Sequence, residues 1–349
     1  MYRCIVYLSC VILGIMPSTL VTSEEIDLGI DFQMNAIAQI ERAFDGSIWG
    51  LTSTTQETMP TVAGVYAFIS TNGVKWDSSC VTPNWWRWGV DIAPISAKEA
   101  WVIMQREDTT ELYRTVNGGR KWSMITPTQV RVKSPHFIHF YSPTTGIIIG
   151  QEGRTIERKW IVSRTTDGGA TWSTSIPMLA EPATEEPTER NDRSAWVEGG
   201  EVYLGMTSGR VMTSQDSGKT WRFMRVPLGG SISSIARIAE SKLLMVHTSM
   251  SGTMRQATTD DSGATWNTLV LFPVDVPPLH GLRKCADGSI VTIPNEYTKT
   301  PLTKIAGDLS SARILSAQAG YSVLEQSDKT FLVGAEILPG QGVRIVKRY

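Results

Sequence analysis

The residues best equipped for recognition chemistry stand together in Asn84-Trp85-Trp86-Arg87-Trp88. Three indoles around one guanidinium can stack on a sugar ring or clasp a partner's side chain. The same residues can also serve packing. Trp86 and Trp88 share one face of a strand while Trp85 faces the other way, so alternate indoles read equally as core with Arg87 stacked between them. Arg131, Lys133 and His136 form a small basic run, a candidate partner contact whose plainer reading is a solvated loop. Tyr297, in Pro294-Asn295-Glu296-Tyr297, and Tyr321, which follows Gly320, complete the candidates. No Gly-x-Ser-x-Gly elbow, phosphate-binding glycine loop or His-Glu-x-x-His zinc motif is present. His136 and His139 are three apart and fall on opposite faces of a strand, a poor arrangement for a metal. Neither a metal nor a cofactor is expected.

A repeat must position these residues. Ser/Thr, any residue, Asp/Asn, Gly/Ser, Gly, two residues and Trp stand as Thr115-Val116-Asn117-Gly118-Gly119-Arg120-Lys121-Trp122. The pattern returns at 165–172 (Asp167, Gly169, Trp172), 214–221 (Asp216, Gly218, Trp221) and 259–266 (Asp261, Gly263, Trp266). A copy one residue shorter holds Asn72 and Trp76. Successive tryptophans are 46, 50, 49 and 45 residues apart. Asp or Asn accepts hydrogen bonds from turn N–H groups, and Gly supplies a positive φ. The motif therefore reads as a hairpin turn with a Trp that fills the gap to a neighbouring unit. These residues are structural in this reading, and they explain five of the twelve tryptophans.

Each unit is expected to hold four short strands with the repeat between the third and fourth. In the second unit these are 88–92, 100–104, 111–115 and 121–125; in the third they are 136–141, 146–150, 158–164 and 171–176. A sixth unit has its turn reduced to Gly307-Asp308-Leu309, and a seventh lacks one strand. The strictly alternating segment 25–32 supplies that strand and closes the ring. The roughly 326 residues after position 23 hold nearly seven such periods. The expected fold is all-β: one seven-bladed β-propeller over 24–349, with six blades as the alternative. Function is expected in the central funnel, at the end built by second-to-third strand loops and inter-blade connections. The Pro- and Glu-rich stretch 180–193 reads as a long exposed loop or lid.

Composition narrows the partners. Thirty-three Lys and Arg against 34 Asp and Glu leave a net charge of −1, so nothing calls for nucleic acid. Residues 1–23 read as a cleavable secretion signal: Arg3, a short apolar stretch, Pro17, then small residues. A secreted or periplasmic monomer is expected, with no membrane span once the leader is removed. Cys4 and Cys10 leave with it; Cys80 and Cys285 remain and read as small half-buried residues rather than a disulfide framework.

The repeat resembles the Asp-box, or BNR, repeat of sialidases and related propellers. Two branches of that resemblance imply different functions. Gly320-Tyr321-Ser322-Val323-Leu324 is similar to the segment that carries the sialidase tyrosine nucleophile. The arginine clamp of that family is missing, however: Ala36-Ile37-Ala38, Thr248 and Lys299 stand at its three positions, and the region of the activating glutamate, 229–231, holds no carboxylate. The short-looped unit 138–150 and the ending Gly342-Val343-Arg344-Ile345-Val346-Lys347-Arg348-Tyr349 resemble photosystem II assembly and stability factors and their bacterial relatives. That branch implies a non-enzymatic platform for an exported protein or glycan partner. The other implies a carbohydrate-active enzyme, a glycoside hydrolase or polysaccharide lyase, working in the funnel.

Overall fold

A computed structural model of the chain describes residues 23–27, 39–54, 64–83, 88–107, 109–125, 130–152, 158–175, 185, 195–226, 230–248, 254–267, 281–293, 302–316, 322–327, 330–334 and 344–348. These residues form strands and turns and no helix. The strands fall into seven antiparallel sheets in chain order. Sheet 1 holds Gln39–Arg42, Ile48–Thr54, Gly64–Ser70 and Asp77–Thr82. Sheet 2 holds Trp88–Pro94, Ala100–Arg106, Thr109–Thr115 and Ser123–Ile125. Sheet 3 holds Ser134–Phe140, Gly146–Glu152, Lys159–Thr165 and Ser173–Ser175. Sheet 4 holds Ala195–Glu198, Glu201–Gly205, Arg210–Ser214 and Arg222–Arg225. Sheet 5 holds Ser231–Arg237, Leu243–Thr248 and Met254–Thr259, extended by a bridge from Thr258 to Asn267. Sheet 6 holds Leu282–Lys284, Ile290–Thr292, Leu302–Ile305 and Ala312–Ser316. Sheet 7 holds Ser322–Ser327, Thr330–Gly334 and Arg344–Arg348, and Ser23–Asp27 pairs with the last of these from Ser23↔Arg348 to Asp27↔Arg344.

The fourth strands are shorter than the sequence leads one to expect, because Lys121-Trp122 and Thr171-Trp172 belong to the turn. The N-terminal strand starts two residues earlier than the alternation, whose remainder lies outside the described residues. So does the expected leader, apart from Ser23.

Packing explains the strand patterns. The second strand of sheet 3, Gly146–Glu152, is buried along nearly its whole length. Its successive side chains face opposite ways. Ile148 joins the core shared with sheet 2, while Ile147 and Ile149 join the core shared with sheet 4. A sheet covered on both faces must be apolar at every position, which is why these strands read as runs rather than alternations. The outermost strands, such as Ser173–Ser175, are largely exposed and polar.

The repeated turns tie sheets together. In each, the opening Ser or Thr hydroxyl accepts the N–H of a turn glycine, as Thr165 does from Gly169 at 2.8 Å and Thr259 from Gly263 at 2.9 Å. Asp167 Oδ1 accepts the N–H of Thr171 at 2.9 Å and Oδ2 its hydroxyl at 2.5 Å; Asp216 and Asp261 do the same with Thr220 and Thr265. Hydrogen bonds from Thr171 and Thr165 hold the Asp167 carboxyl down at about 2. The tryptophan then packs on the preceding sheet: Trp122 stands edge-on to Trp49, and Trp172 edge-on to Trp101 at 6.2 Å between ring centres. In sheet 6 no tryptophan follows the turn. Leu309, at φ 64°, packs there against the core of sheet 5 instead.

Gly169 shows how tight this junction is. Its φ is +83°, and a Cβ would lie 2.5 Å from Cζ2 of Trp101. Gly169→Ala combines left-handed strain with overpacking and is expected to cost about 3 kcal/mol, read as a lowered urea midpoint with unchanged slope.

Candidate functional site

The first strands of five sheets surround one cavity of ≈ 300 Å³. Sheet 1 contributes Glu41, Arg42 and Phe44 beyond its strand, sheet 2 Asp91 to Pro94, sheet 3 Phe137 to Phe140, sheet 4 Ala195 to Glu198, and sheet 6 Arg283 and Lys284. In sheets 1, 2, 3 and 6 these residues lie in the C-terminal part of their strands or just past it, and in sheet 4 the whole short first strand lines the cavity. The cavity therefore opens at the end that carries the first-to-second strand turns and the repeated turns. That is the opposite end from the one where the sequence directs attention.

Its walls are aromatic and its charges are engaged. Lys284 Nζ meets Glu198 Oε1 at 2.5 Å, and Arg283 Nη1 donates to the carbonyl of Ala195 at 3.4 Å. Sheets 4 and 6 are thus joined directly, although both also pack on sheet 5. Arg42 donates to the carbonyls of Gly46 and, in sheet 7, Glu325. The His139 ring stands edge-on to Tyr141 and parallel to Phe137.

The first strand of a sheet has no fifth neighbour, so every second N–H on its free edge needs an acceptor. Polar side chains of the preceding sheet supply it. Gln39 Oε1 accepts the N–H of Ile92 at 3.0 Å, Asp91 Oδ2 that of Ile138 at 2.8 Å, and Ser234 Oγ that of Leu282 at 2.8 Å. Asp91 is buried, and its other oxygen takes its neighbour Ile92's N–H at 2.8 Å. No motif marks these three residues. The available signal is a polar residue next to apolar ones in the first strand of a unit, recurring at about one and three repeat periods.

A second polar centre lies between sheets 3 and 4. Glu185 is fully buried and faces Arg210, itself buried. Arg210 Nε donates to Glu185 Oε1 at 2.7 Å and Nη2 to Oε2; the Ser208 hydroxyl and the Trp160 indole, at 3.0 Å, also donate to this carboxylate. Gln151 Nε2 reaches the Glu185 carbonyl, and the guanidinium lies 4.0 Å over the Phe223 ring. Burial pushes the Glu185 carboxyl up, but these hydrogen bonds and the Arg210 charge outweigh it and leave the group below its ordinary value of 4.5. The sequence places this stretch in solvent because it is rich in Pro and Glu. Glu185 goes inside because a complete set of donors awaits it there.

The residues singled out from sequence are scattered. Arg131 is exposed and pairs with Glu152 at 3.3 Å. Lys133 is exposed, and its backbone N–H bonds to Gln151. His136 is not in a solvated loop. It is the extra residue of a bulge in Ser134–Phe140, buried, with its ring 5.9 Å from that of Trp160. Trp88 opens the first strand of sheet 2. Trp85, Trp86, Arg87, Tyr297 and Tyr321 lie outside the described residues, as does Lys299 of the sialidase comparison. Cys80 and Cys285 are both free thiols, and burial pushes Cys285 up to about 11. No group of three or more His, Cys, Asp or Glu gathers as a metal site among the described residues, and no helix there is long and apolar enough to cross a membrane.

Solved structures share this arrangement. YCF48 from Cyanidioschyzon merolae superposes with a TM-score of 0.63 at 14% identity, over 93% of this chain and 98% of that one. The chain has a β-propeller fold. The WD40 repeats of RRP9 match with a TM-score of 0.54 at 10% identity, over 93% and 96% of the two chains. The GH74 xyloglucanase from Xanthomonas campestris matches with a TM-score of 0.54 at 11% identity, over 93% of this chain and 53% of its own. The chain thus spans about half of that enzyme. At such identities the likeness is one of fold. No protein-family model and no curated protein matches the sequence.

Proposed function

We propose that the chain is an exported, monomeric seven-bladed Asp-box propeller that works as a non-enzymatic platform and holds an exported protein in the cavity at the turn end of its channel. Seven sheets in chain order support the blade number, and the pairing of Ser23–Asp27 with Arg344–Arg348 supports closure of the ring by the N-terminal strand. Sheet 7 is also tied to both neighbours through Glu325: its carbonyl accepts from Arg42, and its carboxylate from the N–H of Ala286 at 2.6 Å. Export rests on the composition of residues 1–23.

The observation that carries the platform reading is how the carboxylates lining the cavity are employed. Of the three lining carboxylates, Asp91 is spent on two backbone N–H groups and Glu198 on Lys284, which leaves Glu41 without a second carboxylate turned to the cavity beside it. Glycoside hydrolysis uses two carboxyl groups turned toward the substrate, one acid and one base or nucleophile. A cavity with aromatic walls and paired charges of both signs suits a polypeptide better. The resemblance to photosystem II assembly factors and the fold likeness to YCF48 point the same way.

The test is a panel of fluorogenic sialosides and other glycosides, together with xyloglucan, incubated with purified protein. No turnover above blank is expected. Turnover that disappears in Tyr321→Phe would overturn the proposal in favour of the carbohydrate-active reading.

A further inference from the structure

We propose that the turn end of sheets 1 and 2 is a docking surface for an acidic polypeptide segment that carries apolar side chains. The inference rests on the platform reading and names a second contact that adjoins the cavity at Phe44 and runs outward from it. Five large apolar side chains stand about half exposed or more among the described residues, and four belong to sheets 1 and 2. Phe44 at 51%, Val74 at 57% and Val116 at 61% all lie at the turn end. Single exposed apolar residues are ordinary; their gathering on one end of two neighbouring sheets is not.

The turns that carry them form one continuous ridge. Asp45, next to Phe44, accepts the N–H of Ala97 at 2.7 Å, and the Lys98 carbonyl accepts the N–H of Gly118 at 2.9 Å. Trp122 then donates to Ser79 of sheet 1 at 3.1 Å, which seats the second repeated turn against the outer strand that follows the first. One backbone and two side-chain hydrogen bonds thus tie these turns to one another, so little order must be gained on docking.

Charge names the occupant. The two positions before the tryptophan are Val74-Lys75 in sheet 1 and Arg120-Lys121 in sheet 2, with Lys75, Lys98, Arg120 and Lys121 all exposed. The same two positions are Ala170-Thr171 in sheet 3, Lys219-Thr220 in sheet 4 and Ala264-Thr265 in sheet 5, so sheets 1 and 2 together hold three of the four cations found there. On the acidic side, Glu99 is paired with Arg114, while Asp45, hydrogen-bonded to Ser47 and Ala97, and the exposed Asp77 keep their charges, so the four cations remain in excess. In a chain of net charge −1, this ridge is a local excess of positive charge around apolar side chains. Such a surface attracts acidic segments and discriminates against basic ones.

Fluorescence anisotropy tests this with full-length protein and three labelled peptides: one alternating Asp or Glu with Leu or Phe, one with Lys in place of the acids, and one with Ser in place of the apolar residues. The acidic apolar peptide should bind, and the other two should bind about tenfold more weakly or worse. Raising salt should weaken it further. The combined variant Lys75→Glu, Arg120→Glu, Lys121→Glu should lose this binding while keeping the wild-type melting temperature. The pair Ala170→Glu, Ala264→Glu, on exposed positions of sheets 3 and 5, should retain it. Equal binding by the triple variant, preference for the basic peptide, or no binding would overturn the proposal. So would finding that the ridge binds only phosphatidylglycerol vesicles or only a second copy of the chain. Loss of the ridge alone leaves partner capture at the cavity intact, so the two readings fail separately.

Discussion

Glu185→Gln destabilises the protein by about 3–5 kcal/mol, because it strands the Arg210 guanidinium in a buried site without its counter-charge. The double variant Glu185→Gln, Arg210→Met recovers much of the loss, since the methionine removes the uncompensated charge and the neutral amide can still accept from Trp160 and Ser208. Phe223 and Trp160 already provide an apolar and aromatic surround for the methionine. The pH dependence fixes the sign. A carboxyl held below its ordinary value of 4.5 contributes stability above that pH and loses it as pH falls through the lower folded-state value. The gap between wild type and Glu185→Gln should therefore be full at neutral pH and close on acidification below 4.5. Urea titrations across that range measure it. A gap that is constant with pH would mean the variant acts through packing alone.

Asp91→Ala is the second large effect, at about 3 kcal/mol. Removing this carboxylate leaves the N–H of Ile138 without its acceptor on a buried strand edge, whereas Ile92 keeps Gln39. The loss should be local to the seam between sheets 2 and 3. Amide hydrogen exchange on Ile138 should accelerate strongly, while Leu282, held by Ser234, should keep its protection. Uniform acceleration over all sheets would contradict the role given to this residue. Gln39→Ala should cost less than Asp91→Ala, because its acceptor is uncharged and Ile92 retains Asp91.

Much of the architecture was legible because the repeat is local chemistry. Thr165, Asp167, Gly169 and Trp172 satisfy one another within eight residues, so a short window of sequence contains the whole turn. The apolar runs of the second strands likewise declare burial on both faces. The site is less legible for the opposite reason. The cavity takes a few residues from each of five strands spread from Glu41 to Lys284, and no window sees more than one of them. Glu185 was misread because composition reports an average, and the average of its neighbours is that of a solvated loop. Its partners Trp160 and Arg210 lie 25 residues away on either side. His136 was misread because a bulge, which turns a residue inward without a sequence marker, sits at that point.

Photo-crosslinking tests the platform claim most directly. Phe44 stands at the cavity mouth and is half exposed, so Phe44→p-benzoylphenylalanine places a reactive aromatic there with little change of shape. Ile314, equally exposed on the last strand of sheet 6, is the control position. Irradiation of cells producing each variant should give one discrete protein adduct from position 44 and none from position 314. An identical adduct pattern from both positions, or no adduct at position 44 from a correctly folded and exported protein, would contradict the account.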